Sequence, residues 1–234
     1  MLDEKPRCGV RVDCYVARVM ADPARRRATY QDVLDSPPDK IAEVVHGELH
    51  LGSRPGLTHS SVRTALLGEL ALPFQRGRGG PGGWIILHEP ELHLHDDILV
   101  PDLAAWRRER LPVIEDVAYT TLAPDWICEI LSPSTEKFDR VDKMPIYAAA
   151  GVQHAWLIHP VRRTLEVHGL HNGKWLTLGI HRDDQRVHDA PFDALELELA
   201  ILWQGLAPPP GWDRPSEAAA VYDPAGEYSR YEGY

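Results

Sequence analysis

Two carboxylates stand alone inside apolar runs of this chain. Glu129 lies in Trp126-Ile127-Cys128-Glu129-Ile130-Leu131, and Asp102 lies in Ile98-Leu99-Val100-Pro101-Asp102-Leu103-Ala104-Ala105-Trp106. An ionised carboxylate among apolar side chains is unfavourable unless it is paired or binds a cation. One such acid is explained equally well by an arginine partner or by backbone donors. Two of them on neighbouring strands make a hard-oxygen site suited to Mg²⁺, with Mn²⁺ as its substitute. Asp139, Lys143 and Tyr147 follow at i, i+4 spacing, which aligns them along one helix face. A lysine beside two acids keeps its charge and can stabilise an anion or orient a water. The alternative for Lys143 is a surface pair with Asp139.

These residues need elements to position them. In an extended chain Trp126, Cys128 and Ile130 point one way, and Ile127, Glu129 and Leu131 the other. Both faces are apolar, which predicts a central strand covered on both sides. The run 98–106 predicts a second core strand of the same kind, entered through a turn at Asp96-Asp97. Proline fits the first turn of a helix, not its middle. Pro145 therefore predicts a helix that starts near residues 141–143, carries Lys143 at its N-terminus and stops at Gly151. Residues 41–51 alternate about Gly47 and predict a hairpin, with His46, Glu48 and His50 on one solvated face. Val62, Leu66, Leu67 and Leu70 form the apolar stripe of a helix over 59–74, whose first residue, His59, either caps it or faces the site. Residues 84–88 and 154–158 read as strands, and Asn172-Gly173 marks a hairpin turn. The fold class is α/β.

Composition sets the outer limits. The chain has 234 residues, enough for one sizeable core, with 44% hydrophobic and 26% charged residues, ordinary for a globular protein, and no run of 18 apolar residues, so no transmembrane helix is expected. The N-terminus lacks a basic segment followed by an apolar one, so the cytoplasm is the default expectation. Cys8, Cys14 and Cys128 are too few, and wrongly spaced, for a disulfide framework or a zinc knuckle. A net charge of −10 argues against an extended non-specific nucleic-acid footprint, although a local metal site needs acids. Residues 77–83 are glycine-rich but fit no phosphate-loop spacing. Glu91, His93 and His95 alternate onto one face and offer a zinc alternative to a half-exposed strand. Residues 1–28 read as an N-terminal arm bearing the basic triplet Arg25-Arg26-Arg27, 29–206 as one domain, and 207–234 as a flexible tail.

Pro101-Asp102, Glu129-Ile130-Leu131-Ser132-Pro133-Ser134-Thr135, Asp139…Lys143…Tyr147 and Gly151-Val152…Ala155-Trp156-Leu157-Ile158…Pro160 together resemble the Uma2 family. That family groups restriction-endonuclease-like proteins of the PD-(D/E)XK nuclease superfamily. The resemblance takes in Glu43-Val44-Val45-His46-Gly47-Glu48-Leu49, His59 and Glu89-Pro90-Glu91-Leu92, and runs in order over about residues 29 to 180. It implies a restriction-endonuclease-like core: a mixed central β-sheet flanked by helices, with additional β-hairpins. It also implies Mg²⁺-dependent hydrolysis of phosphodiester bonds, with DNA as the expected partner and a homodimer as an admissible assembly. By the same resemblance Asp102, Glu129 and Lys143 are catalytic with Glu43 assisting, and Asp102, Glu129 and the Ile130 carbonyl bind the metal. One departure stands out: the position two after Glu129 is Leu131, where the wider superfamily carries lysine. The resemblance implies that Lys143 supplies that ammonium. Two alternatives stay open. One is a non-catalytic nucleic-acid- or partner-binding module that keeps the fold. The other is a small zinc hydrolase built on the histidines of 88–97.

Overall fold

The computed structural model describes residues 26–208. Most of the arm expected at 1–28 and of the tail expected at 207–234, with Cys8 and Cys14, lies outside the described residues. In chain order the elements are α1 Tyr30–Leu34, β1 Lys40–Val45, β2 Glu48–Ser53, α2 Leu57–Leu70, β3 Trp84–His88, β4 Glu91–Leu94, β5 Asp97–Leu99 and β6 Leu103–Arg107. They continue with β7 Tyr119–Thr120, β8 Trp126–Ile130, α3 Glu136–Phe138, α4 Met144–Ala149, β9 His154–His159, β10 Thr164–His171, β11 Lys174–Arg182, β12 Arg186–Val187, β13 Leu197–Glu198 and α5 Ala200–Trp203. None of the described helices is long and apolar enough to cross a membrane.

A six-stranded sheet in the order β11-β10-β9-β8-β6-β3 forms the centre, and β8 lies inside it. β8 runs parallel to β9 and antiparallel to β6, so the sheet is mixed. Every residue of β8 is buried, as two apolar faces require. Trp126, Cys128 and Ile130 enter one core with Val62, Leu66 and Leu70 of α2 and Leu202 and Trp203 of α5. On that side Trp126 and Trp156 meet edge to face, and Phe192 packs between them. Ile127 and Leu131 enter a second core with Met144, Ile146 and Tyr147 of α4.

The expected hairpins are more than decoration. β1–β2 and β4–β5 join with β7 into a second sheet, ordered β2-β1-β5-β4-β7, and its Val45, Leu92 and Leu99 complete the second core. This corrects the reading of 98–106 as one strand. The chain leaves the small sheet after Leu99, passes through Val100-Pro101-Asp102 and enters the large sheet at Leu103. Proline has no N–H for a ladder, so Pro101 suits the crossing point. Asp102 therefore sits in the bend between two sheets, not within a strand. His46 also departs from expectation. His46 and Gly47 both have positive φ, 54° and 81°, and form the tight β1–β2 turn, so His46 shares no strand face with Glu48 and His50.

Candidate active site

Glu129 projects from β8 on the side opposite Trp126, Cys128 and Ile130, toward the small sheet and α4. It is 2% exposed. The Tyr147 hydroxyl donates to its Oε1 at 2.7 Å, and the Lys143 ammonium lies 2.8 Å from the same atom. The backbone N–H of Asp102 points at Glu129 Oε2, 3.4 Å away. Asp102 in turn accepts the Ile130 N–H at 2.7 Å through Oδ2, and His59 Nε2 lies 3.0 Å from that oxygen. The bend at Pro101 and the end of β8 are thus pinned to each other, and both carboxylates line one cavity.

Lys143 reaches this point as the N-cap of α4, with Pro145 in the first turn as expected. A helical path nevertheless leads into α4 from further upstream. The Ser132–Thr135 turn, where the Thr135 N–H donates to both the Ser132 carbonyl and its Oγ, starts it at Glu136. Residues Asp139–Lys143 then form a π-helical turn, in which the Met144 N–H donates to the Asp139 carbonyl five residues back. This wider turn lets the helical path continue into α4 although Pro145 cannot donate. Lys143 sits mid-path, 3% exposed, which also removes the surface-pair reading. Its Nζ lies 3.0 Å from Glu43 Oε1 and 3.7 Å from Asp139 Oδ1, besides the contact to Glu129. Glu43, from β1, further accepts the Val100 N–H at 2.8 Å.

Three buried carboxylates surround one ammonium, with Asp102 next to them. Burial disfavours the Lys143 charge, but Glu129, Glu43, Tyr147 and Asp139 outweigh it and hold the ammonium's pKa well above its ordinary value. One ammonium cannot neutralise all three acids. Burial pushes the Glu129 carboxyl up to about 8, with Lys143 opposing and Asp139, Asp102 and Glu43 reinforcing the shift. Asp139 is raised by burial too, against the pull of Lys143. Replacing Tyr147 with Phe removes one donor from this crowded carboxylate. A loss of about 1–3 kcal/mol in urea unfolding of the metal-free protein is expected for Tyr147→Phe.

The cavity above these groups measures about 560 Å³ and is walled by the β1–β2 hairpin on one side and residues 132–139 on the other. Residues 27–201 match the Uma2 family, described as "Putative restriction endonuclease". The chain belongs to the Uma2 family. Among solved structures, a protein titled "putative nuclease belonging to DUF820" from Anabaena variabilis ATCC 29413 shares its fold, with a TM-score of 0.62 and 23% identity over 75% of this chain and 97% of that one. No curated protein matches the sequence.

In this Uma2 chain Leu131 is 2% exposed and packs in the second core. The structure brings together all four residues expected at the site, Asp102, Glu129, Lys143 and Glu43, and Ile130 contacts Asp102 through its N–H. Asp139 and Tyr147 join them, as their helical spacing with Lys143 allows. His50 was not anticipated here: it lies across the strand pair from Glu43, on the cavity side of β2. His59 faces the site and does not cap α2, whose N-cap is Gly56. The 88–97 histidines do not converge. His93 pairs with Glu91 at 2.7 Å and stacks on Tyr119 at 3.6 Å, while His95 occupies the β4–β5 turn with φ 58°.

Proposed function

We propose that the chain is a divalent-metal-dependent nuclease that hydrolyses phosphodiester bonds of DNA. The observation that carries this reading is the surplus of buried acid around Lys143. Glu43, Glu129 and Asp139 crowd one ammonium, and Asp102 adjoins them. Such a cluster lacks positive charge, and a divalent cation would supply it. The family and the shared fold support a nuclease as the reaction class.

The donor set suits Mg²⁺ better than zinc. Among the described residues no three His, Cys, Asp or Glu side chains converge as a ready cage. Mg²⁺ commonly takes one or two carboxylates and completes its octahedron with waters and substrate phosphate. Asp102 and Glu129 would hold it, with the Ile130 carbonyl as a third oxygen. Mn²⁺ would substitute. A bound ion of this kind polarises a phosphoryl oxygen and acidifies a water.

The remaining work falls to the chain's own groups. The Ile130 N–H and His59 fix Asp102 Oδ2, and the Arg63 guanidinium lies 3.9 Å from Oδ1. Tyr147 and Lys143 hold Glu129. Lys143 also offers a fixed positive charge to the oxygens on which charge gathers during displacement. Glu43 acts at one remove, by anchoring Lys143 and the Val100 backbone. Cutting both strands of a duplex would need two such sites, which a homodimer would provide.

The test is cleavage of plasmid and oligonucleotide DNA by the purified protein with Mg²⁺ or Mn²⁺ and with chelator. Metal-dependent cleavage is expected, and Asp102→Ala should lower it by about 10²–10³-fold. Cleavage that persists in Asp102→Ala, or that ignores the chelator, would overturn the reading. Protein that binds DNA but cuts nothing would favour the binding-module alternative.

A further inference from the structure

If the cavity is a nuclease site, its walls also decide which form of DNA reaches the acids. Two rings stand in those walls. His50 of β2 and Phe138 at the end of α3 lie 4.6 Å apart, centroid to centroid, tilted by 32°. His50 is paired across the hairpin with Glu43, which turns its ring to the side of the acids. Phe138 immediately precedes Asp139. Both rings line the cavity and both are half-buried, Phe138 also packing against the second core.

The charge on the walls is as telling. The cavity lining includes four acids, Glu43, Asp102, Glu129 and Asp139, against the two permanent cations Lys143 and Arg54. Lys143 is already committed to three of those acids. Duplex DNA is held mainly by cations spread along its phosphates, and a chain of net charge −10 has few to spare. Single strands are held differently, by stacking of exposed bases on aromatic side chains, which works for any base. A solvent-open cleft of about 560 Å³ also matches a ligand of nucleotide size.

We infer, resting on the nuclease reading, that the site takes an unpaired segment of DNA, with one base stacked on the His50–Phe138 pair beside the phosphate to be cut. Base-paired DNA cannot offer a free base face to these rings. The preferred substrates are therefore single strands, overhangs and loops, not continuous duplex.

The test reads binding without cleavage. The full-length protein is titrated, with Ca²⁺ in place of Mg²⁺, against a fluorescent single strand of about twelve nucleotides and against the matching blunt duplex, by anisotropy. The single strand should bind at least about tenfold more tightly. Phe138→Leu keeps an apolar side chain for packing but removes the ring, and should weaken single-strand binding about tenfold. His50→Gln should act in the same direction, and Phe138→Trp should retain the wild-type affinity. Equal affinity for single strand and duplex would overturn the inference, as would wild-type affinity in both Phe138→Leu and His50→Gln. A protein that prefers single strands in this way, yet cuts nothing in Mg²⁺ or Mn²⁺, upholds this inference and overturns the nuclease reading alone.

Discussion

Lys143→Met is expected to reduce metal-dependent cleavage by about 10²–10³-fold and to weaken the fold in the same stroke. The two effects share one cause. The ammonium lies within 3.7 Å of Glu43, Glu129 and Asp139 and is almost wholly buried. Removing one partner of a buried ion pair destabilises by about 3–5 kcal/mol, because a charge is left without compensation. Part of that loss is recovered where the abandoned acids take up protons, so the destabilisation should be smaller at low pH. Lys143→Arg should rescue neither property well. A planar guanidinium is bulkier than an ammonium and cannot sit centrally among three carboxylates drawn in to 2.8–3.7 Å. Single-turnover cleavage and urea unfolding of the wild type and both variants decide the matter. Cleavage within twofold of the wild type in Lys143→Met would reduce Lys143 to a structural partner of the acids.

Glu129→Gln should show the opposite sign in stability and the same loss in metal response. In the metal-free protein Glu129 titrates near 8, against an ordinary value of 4.5, chiefly through burial. Between those two values the folded state holds a proton that the unfolded state has released. The contribution of Glu129 to stability therefore falls as pH rises from about 4.5 to 8 and levels off above it. Glutamine has no such titration. The advantage of Glu129→Gln should be small near pH 4.5 and full above pH 8. Adding Mg²⁺ should narrow the gap. At a hundredfold excess over its dissociation constant the ion stabilises the wild type by about 2.7 kcal/mol, or roughly 5–10 °C in melting temperature. The variant, with one carboxylate ligand removed, should respond far less. Thermal melts at several pH values, with and without Mg²⁺, test both halves. Equal Mg²⁺ shifts in the two proteins would count against Glu129 as a ligand.

The central strand was legible because both its faces are apolar, and a lone Glu129 in such a strand announces itself. The division of 98–106 between two sheets was not. An apolar run reads the same whether it stays in one sheet or crosses to another, and Pro101 alone marked the crossing. Lys143 belongs to the site as its spacing suggests and caps α4 as Pro145 implies, but nothing in Asp139–Lys143 marks the π-helical turn that joins α3 to α4. His50 was hidden for a related reason. Its alternation with His46 and Glu48 resembled a solvated face, and only the second sheet and Phe138 turn that face into a cavity wall. Tyr147 was visible by spacing, yet its bond to Glu129 depends on tertiary placement that no local pattern encodes.

The π-helical turn at Asp139–Lys143 also sets the phase of everything around it. Each residue of an α-helix advances the side-chain direction by about 100°. The turn holds one residue more than an α-helical turn would, so its length fixes the angular offset between α3 and α4. Deleting the exposed Val141 removes no charge and no residue of the site. It would nonetheless rotate Phe138 and the residues before it by about that angle relative to Tyr147, and force Pro145 against a regular helical ladder. A change of length in this segment is therefore felt by every group on both flanks, from the His50 contact to the Tyr147 hydroxyl on Glu129.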